Sequence, residues 1–390
     1  MNRDLSLRKK RFIDPRWLFA AASAISILAT YAVTGYSGNP GFETLRSAAD
    51  SFWYGVIPYG RDTASLFLYG PLFNIIFTPF ALLPEWIAPY LWNFFNLSLF
   101  FLAIFSLPDS IRTEQKCRFF LFLLPLAIFS QLSFRFDIVS ASLALFAFSL
   151  LESGFYKWGI TVVLISAFSG GYGIIQLLTL PFYPRILKNT GYTFIAASVF
   201  FASPLLSFPL SDLTEYYRTW LDSVSESEVS DSFYTLFCLK PLFRELPVWS
   251  MTARTAMLGF LLLIVFGCWK RASFFPFRAG ATGILAGWAV LFGMTSTPDT
   301  YLIALSGFML WYYSKPATCF MDRAVLWCNF AVLTAASPAV LFSETLREGL
   351  MNTATPNVWV FAATSIWMAA YTFFGSSHKF ATQHFRYRHL

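Results

Sequence analysis

Charge is scarce in this 390-residue chain: 13% of residues are charged and 56% are hydrophobic. A soluble domain usually carries nearly twice that share of charge, so this shortage excludes an ordinary water-facing surface over most of the molecule. Histidine is scarcer still. The only three, His378, His384 and His389, stand in the C-terminal tail, which leaves none for a Ser-His-Asp triad in the body of the chain. Cysteine is limited to five residues. In the threading below only Cys238 faces outward, so no disulfide framework is available in an oxidising compartment. No GxxxxGK[ST] segment occurs, and with it goes the usual sign of ATP-driven transport.

What the chain has instead is apolar runs of membrane-spanning length, separated by short charged islands. A helix needs about 20 residues to cross a hydrocarbon core, and backbone polar groups in lipid find partners only within helices. The runs predict spans near 17–36, 86–107, 119–134, 137–153, 158–168, 173–184, 191–209, 249–268, 279–296, 300–314, 323–343 and 357–374. The predicted fold is therefore all-α, a polytopic bundle of about twelve spans, with the short fifth and sixth forming a hairpin packed inside it. The start, MNRDLSLRKKRFIDPR, holds six basic residues. With this start on the cytoplasmic side, inner loops hold about 20 of the 28 Lys and Arg residues, as the positive-inside rule requires. About 15 of the 21 acids then fall outside, although acids contribute little to orientation. Both termini come out cytoplasmic, including the tail 375–390. The first apolar run is too long for a signal peptide and no clear small-residue cleavage site follows it. The net charge of +7 is accounted for by inner loops against an anionic leaflet, without nucleic acid.

Two outward segments are long. The first, 37–85, carries two expected surface helices, Phe42–Tyr54 and Pro71–Leu83, around the turn-rich stretch 55–60. The second, 210–248, is acidic, and its middle, DSVSESEVSDS, reads as an exposed mobile loop in which the acids are solvated. Arg135 and Asp137 stand at the outer mouth of the fourth span, Asp299 and Tyr301 at that of the tenth. Ionisable groups at such depth that face a bundle interior are functional candidates, because an unpaired charge there is costly. Gly280, Gly283 and Gly287 suit close helix packing. The many Phe and Trp residues are assigned to lipid-facing and core surface.

The stretches GFETLRSAADSFWYGVIPYG, FLYGPLFNIIFTPFALLP and APYLWNFFNLSLF resemble the N-terminal third of polyprenol-phosphate-dependent glycosyltransferases of the GT-C superfamily, in particular the family 87 / DUF2029 group. The matching positions are Ala48-Ala49, Gly55, Pro58-Tyr59, Tyr69, Pro71-Leu72-Phe73, Leu83-Pro84, Trp92 and Asn96. The family's Gly-Gln-x-Asn at the outer start of a helix falls on Phe134-Arg135-Phe136-Asp137, with Asp137 at the Asn position. A later Asn-x-Ser-Leu element is similar to DSFYTLF, from Asp231 to Phe237. The resemblance covers more than half of the chain and rests on no single rigid motif. The chain departs from it at four places. The family Asp aligns with Gly41, and the first Pro of a Pro-Pro pair with Gly70. A frequent basic residue is replaced by Ser169-Gly170-Gly171, and the Gly-Gln-x-Asn is largely lost.

The resemblance implies transfer of a hexose or pentose from a polyprenyl-phosphate donor to an envelope glycan or glycolipid on the outer face of a bacterial cytoplasmic membrane. That chemistry needs a carboxylate to take the acceptor proton and cations to hold the leaving phosphate. Glu43, Asp50 and Asp137 are the candidate bases. For Glu43 the plainer reading is a helix-surface pair with Arg46 three residues on. Arg46, Arg61, Arg135, Arg218 and Arg254 are the outward arginines, whose planar guanidinium suits phosphate. Tyr59, Tyr69 and Asp299 join them as candidate substrate-binding residues. No spacing identifies a metal-ligand set, and a divalent cation is an optional addition. Two other classes compete: an inactive relative that binds lipid or a partner protein, motivated by Gly41, and a transporter. Against the transporter reading, the chain lacks clear two-fold internal repetition and has few intramembrane charges.

Overall fold

The computed structural model describes residues 14–34, 39–59, 67–229, 251–293, 296–335 and 355–375. Among these, every regular element is helical. In chain order they are α1 (Pro15–Thr34), α2 (Pro40–Trp53), α3 (Pro71–Ala81), α4 (Ala88–Phe105), α5 (Thr113–Leu132), α6 (Asp137–Glu152), α7 (Tyr156–Gly170) and α8 (Gly173–Leu177). There follow α9 (Ile186–Phe201), α10 (Leu213–Val229), α11 (Met251–Gly267), α12 (Phe275–Leu291), α13 (Tyr301–Ser314), α14 (Phe320–Asn329) and α15 (Pro356–Phe374). Each run expected to span is helical over at least part of its length. The sixth, 173–184, is the least regular, with α8 followed by a single 3-10 turn, Leu180–Phe182. Among the described residues three helices, α1, α4 and α15, are long and apolar enough to cross a membrane.

α1 is turned inside out relative to a water-soluble helix. Its buried face is polar, with Ser23, Ser26, Thr30 and Thr34, while Trp17, Ile25, Leu28 and Tyr31 are exposed. The buried face hydrogen-bonds to its neighbours. Ser26 donates to Gln131 Oε1 of α5 at 2.7 Å, and Asn93 Nδ2 of α4 donates to Thr30 Oγ1 at 2.9 Å. Apolar surroundings favour this arrangement, because hydrogen bonds between helices matter there and apolar side chains need no cover. α9 repeats the pattern. Asn189 is its only buried residue, and Phe194, Ile195 and Val199 are exposed.

α6 and α13 form the centre of the bundle and are buried along almost their whole length. α12 lies against α13 with backbones nearly touching: a Cβ on Gly283 would stand 2.6 Å from the Gly307 carbonyl. This is the close packing expected of Gly283.

Polar contacts collect at the two ends of these helices. At the C-terminal end of α6, Arg278 makes a two-pronged bond to Glu152 at 2.6 and 2.7 Å, and Tyr183 donates to the same carboxylate at 2.9 Å. Just beyond α13, Lys315 pairs with Asp322 at 2.6 Å, and Trp367 donates to Asp322 at 2.9 Å. The opposite end, where α6 and α13 begin, holds the candidate site.

The segment 210–248, expected outside, differs from its expectation. Much of DSVSESEVSDS belongs to α10, which runs to Val229. The helix is amphipathic: Tyr216, Tyr217 and Trp220 face inward, while Arg218 and Asp222, 3.8 Å apart, lie on its exposed side. Its aromatic face supplies the docking energy that a run of acids alone would not.

Candidate functional site

The site is built from the starts of α6 and α13 and the segment entering α3. The turn between α5 and α6 is tight. Phe134 has φ +51°, the left-handed region that a bulky side chain seldom adopts. It is held there by burial and by edge-on contact with Phe42 of α2, ring centroids 5.5 Å apart. The turn sends Arg135 toward the start of α13, where its Nε lies 3.4 Å from Asp299 Oδ2. The exposures of this pair are unequal. The Asp299 side chain is 5% accessible and that of Arg135 29%, so the guanidinium forms the outer edge and the carboxylate lies behind it. Asp137, the first residue of α6, is also buried and lies within electrostatic reach of both. An acid in the first turn is favoured by the helix dipole.

Asp299 sits in a turn locked by Thr300, whose Oγ1 donates to the Thr297 carbonyl at 2.7 Å and accepts from the Thr297 amide at 3.1 Å. Burial pushes the Asp299 carboxyl up to about 6, against the opposing effects of Arg135 and Ser133.

Tyr69 closes the cluster from the α3 side. Its hydroxyl accepts from the Phe136 amide at 3.1 Å, and its carbonyl accepts from the Tyr59 hydroxyl at 2.8 Å. Burial, followed by the nearby Asp137 carboxyl, holds the Tyr69 phenol well above its ordinary value, with Arg135 opposing. The next residue, Gly70, stands where the resemblance would place a proline. Its amide donates to the Ser169 carbonyl at 2.7 Å, and a Cβ would stand 2.2 Å from the Phe168 carbonyl. Proline could neither donate this bond nor fit. Gly170 is more loosely constrained, since a Cβ there would meet the Ser140 hydroxyl, Oγ, at 2.9 Å. The missing basic residue therefore coincides with a close approach of α7 to α6.

The structure thus gathers Tyr59, Tyr69, Arg135, Asp137 and Asp299. It places the other candidates differently. Glu43 and Asp50 stand on the exposed face of α2. Arg46 Nη2 donates to the Leu83 carbonyl at 2.6 Å, and Nη1 lies 3.2 Å from Glu85 and 3.9 Å from Glu43. These contacts tie α2 to the α3–α4 connection. Arg218 is on the exposed side of α10. Arg61, the Arg254 side chain, Asp231–Phe237, Cys238, the basic start 1–13 and the three histidines lie outside what is described. Gly41, where the family Asp would stand, adjoins the same turn: a Cβ would be 3.0 Å from Asn39 Oδ1 and 3.3 Å from the Ser133 carbonyl.

Sequence reasoning missed the roof over this cluster. Trp220 Nε1 of α10 donates to the Leu68 carbonyl at 3.0 Å, and Asn74 Nδ2 of α3 donates to Tyr216 at 3.3 Å. The spacing of Tyr216, Tyr217 and Trp220 was the available signal. Among the described residues no three His, Cys, Asp or Glu side chains group so as to share a metal.

Compared with known proteins, the chain matches no protein-family model and no curated protein.

Proposed function

We propose that this protein is an integral-membrane glycosyltransferase of about twelve spans, working at the outer face of a cytoplasmic membrane with both termini inside. It moves a sugar from a polyprenyl-phosphate donor to a hydroxyl of an envelope glycan or glycolipid. One observation carries the reading. The Phe134 turn falls at the glycine of the family's Gly-Gln-x-Asn and has the left-handed backbone for which glycine is the usual choice. That turn presents Arg135 and Asp137 beside a second buried carboxylate, Asp299.

In this reading the acceptor oxygen attacks the anomeric carbon, and the bond from that carbon to the phosphate oxygen breaks. The acceptor proton passes to Asp137, the favoured base over Glu43 and Asp50 because it is buried beside a cation. The departing polyprenyl phosphate takes the bonding electrons and is held by the Arg135 guanidinium. Asp299 orients Arg135, and Tyr69 fixes the backbone at Phe136. The donor brings its own lipid tail, so α3 is suited to be the wall past which it enters.

The test is transfer of label from a panel of polyprenyl-phosphate sugars to endogenous acceptors in membranes carrying the protein. Asp137→Asn is expected to lower transfer at least 100-fold at unchanged protein level, and Glu43→Ala and Asp50→Ala less than threefold. Full activity in Asp137→Asn would move the base elsewhere. No transfer by the wild type with any donor, beside a working control transferase, would favour a second reading. That reading is a non-catalytic relative that binds a lipid or partner protein, and the tight surroundings of Gly41 speak for it.

A further inference from the structure

Between α6, the α7–α8 hairpin, α12 and α13 lies a small, partly open chamber of about 30 Å³. Its lining is mostly apolar, Leu285 and Ile303 included, with polar side chains at Ser140, Ser166, Gln176 and Thr282. Ser140 follows Asp137 by three residues and Ile303 follows Asp299 by four, so the chamber begins about one helical turn, roughly 5 Å, inside the carboxylates. Gln176 is only 7% exposed. Its Nε2 donates to the Ala144 carbonyl at 2.8 Å, which fixes the amide so that Oε1 is the remaining group, and among the described residues none donates to that oxygen. Thr282 Oγ1 spends its proton on the Arg278 carbonyl at 2.9 Å and keeps its lone pairs. A buried acceptor without a donor costs about 1–3 kcal/mol. The chamber has the volume of one or two waters, and its wall offers the two to four polar partners that such a water needs.

We propose that this chamber is an internal water-binding site, anchored on the Gln176 amide oxygen, that hydrates the bundle one helical turn beneath Asp137 and Asp299. A water there donates to Gln176 Oε1 and exchanges hydrogen bonds with the Ser140, Ser166 and Thr282 hydroxyls. It joins the short α7–α8 hairpin to α6 and α12 across a gap that no side chain fills. Under the transferase reading it also gives the carboxylates contact with water from within while a lipid substrate covers the outer mouth. The water site itself does not depend on that reading.

Hydroxyl-radical footprinting by X-ray pulses tests the site on the full-length protein in lipid nanodiscs, because radicals form at bound waters and label the side chains beside them. Leu285 and Ile303 are 1% and 3% exposed. They are expected to be oxidised at several times the rate of Leu302 and Leu305, both 0% exposed and outside the chamber. Gln176→Leu, which removes the amide oxygen without adding an oxidisable sulfur, should reduce labelling of Leu285 and Ile303 at least threefold. Ser166→Ala, which leaves the Gln176–Ala144 bond intact, should reduce it less and serves if the first variant does not fold. Labelling of Leu285 and Ile303 no greater than that of Leu305 would show a dry chamber and overturn the proposal. Labelling unchanged in both variants would overturn the assignment of the anchor. Neither readout requires turnover, so a failure here is distinct from a failure of the transfer assay.

Discussion

At the residue scale, Asp299 and Gly70 make opposite demands on their surroundings. Asp299 is buried as a titratable group whose carboxyl rises to about 6. The folded state therefore keeps a proton that the unfolded chain gives up near pH 4. The stability contributed by this group is fully present below about pH 4 and is lost as pH rises through about 6, a change on the order of 2–3 kcal/mol. Asp299→Asn should flatten that part of the profile, and melting temperatures between pH 4 and 7 in detergent would reveal it. An unaltered slope would mean that another group titrates. Gly70 is needed for space. Its missing Cβ lets the Phe168 carbonyl approach, so Gly70→Ala should destabilise by about 1–3 kcal/mol through forced backbone movement. Thermal unfolding measures this directly, and a stable Gly70→Ala protein would argue against the close approach.

At the scale of elements, α10 is the part whose role the sequence hid. Its acids suggested a solvated loop, but Tyr216 packs edge-on to Tyr59 and Phe208, with centroids 5.5 and 4.9 Å away. The helix thereby covers the segment that carries Tyr69. Removing its outer anchor with Trp220→Ala should cost about 2 kcal/mol and free the helix locally. Limited proteolysis should then cut α10 several-fold faster, with little change in global unfolding. Equal cleavage rates would show that the remaining aromatic contacts suffice. α1 and α9 were legible because their composition is apolar. What composition could not show is that α1 turns its few hydroxyls inward, a choice set by Asn93 and Gln131 on its neighbours.

At the scale of the whole molecule, the end opposite the carboxylates is closed by buried ion pairs. Lys315 and Asp322 are 1% and 0% accessible, and the Lys315 ammonium lies 3.7 Å from the Tyr371 ring centroid. Breaking such a pair from one side leaves an uncompensated charge. Lys315→Met alone should cost about 3–5 kcal/mol, while Lys315→Met with Asp322→Leu should cost clearly less. A double variant as unstable as the sum of the two singles would contradict this coupling. The proposed orientation is open to a separate check. Cysteines placed at Ser211 and at Lys270 of a Cys238→Ser protein should differ in intact cells: only the first is expected to react with a membrane-impermeant maleimide.

The amino-acid pattern alone determined the helical class, the position of nearly every helix and the distribution of charge. Each of these follows from runs of neighbouring residues and the thickness of a bilayer. It also singled out Arg135, Asp137 and Asp299 by their places at helix mouths. Only the tertiary structure decided that these three meet, that Arg46 serves the α3–α4 connection, and that Glu43 and Asp50 face outward. Residues 135 and 299 are far apart in the chain, and their 3.4 Å contact depends on how α5, α6, α12 and α13 pack. Close packing of this kind rests on small residues: the spacing of Gly280, Gly283 and Gly287 marked one face, but only the packed bundle shows that Gly307 is the partner of Gly283.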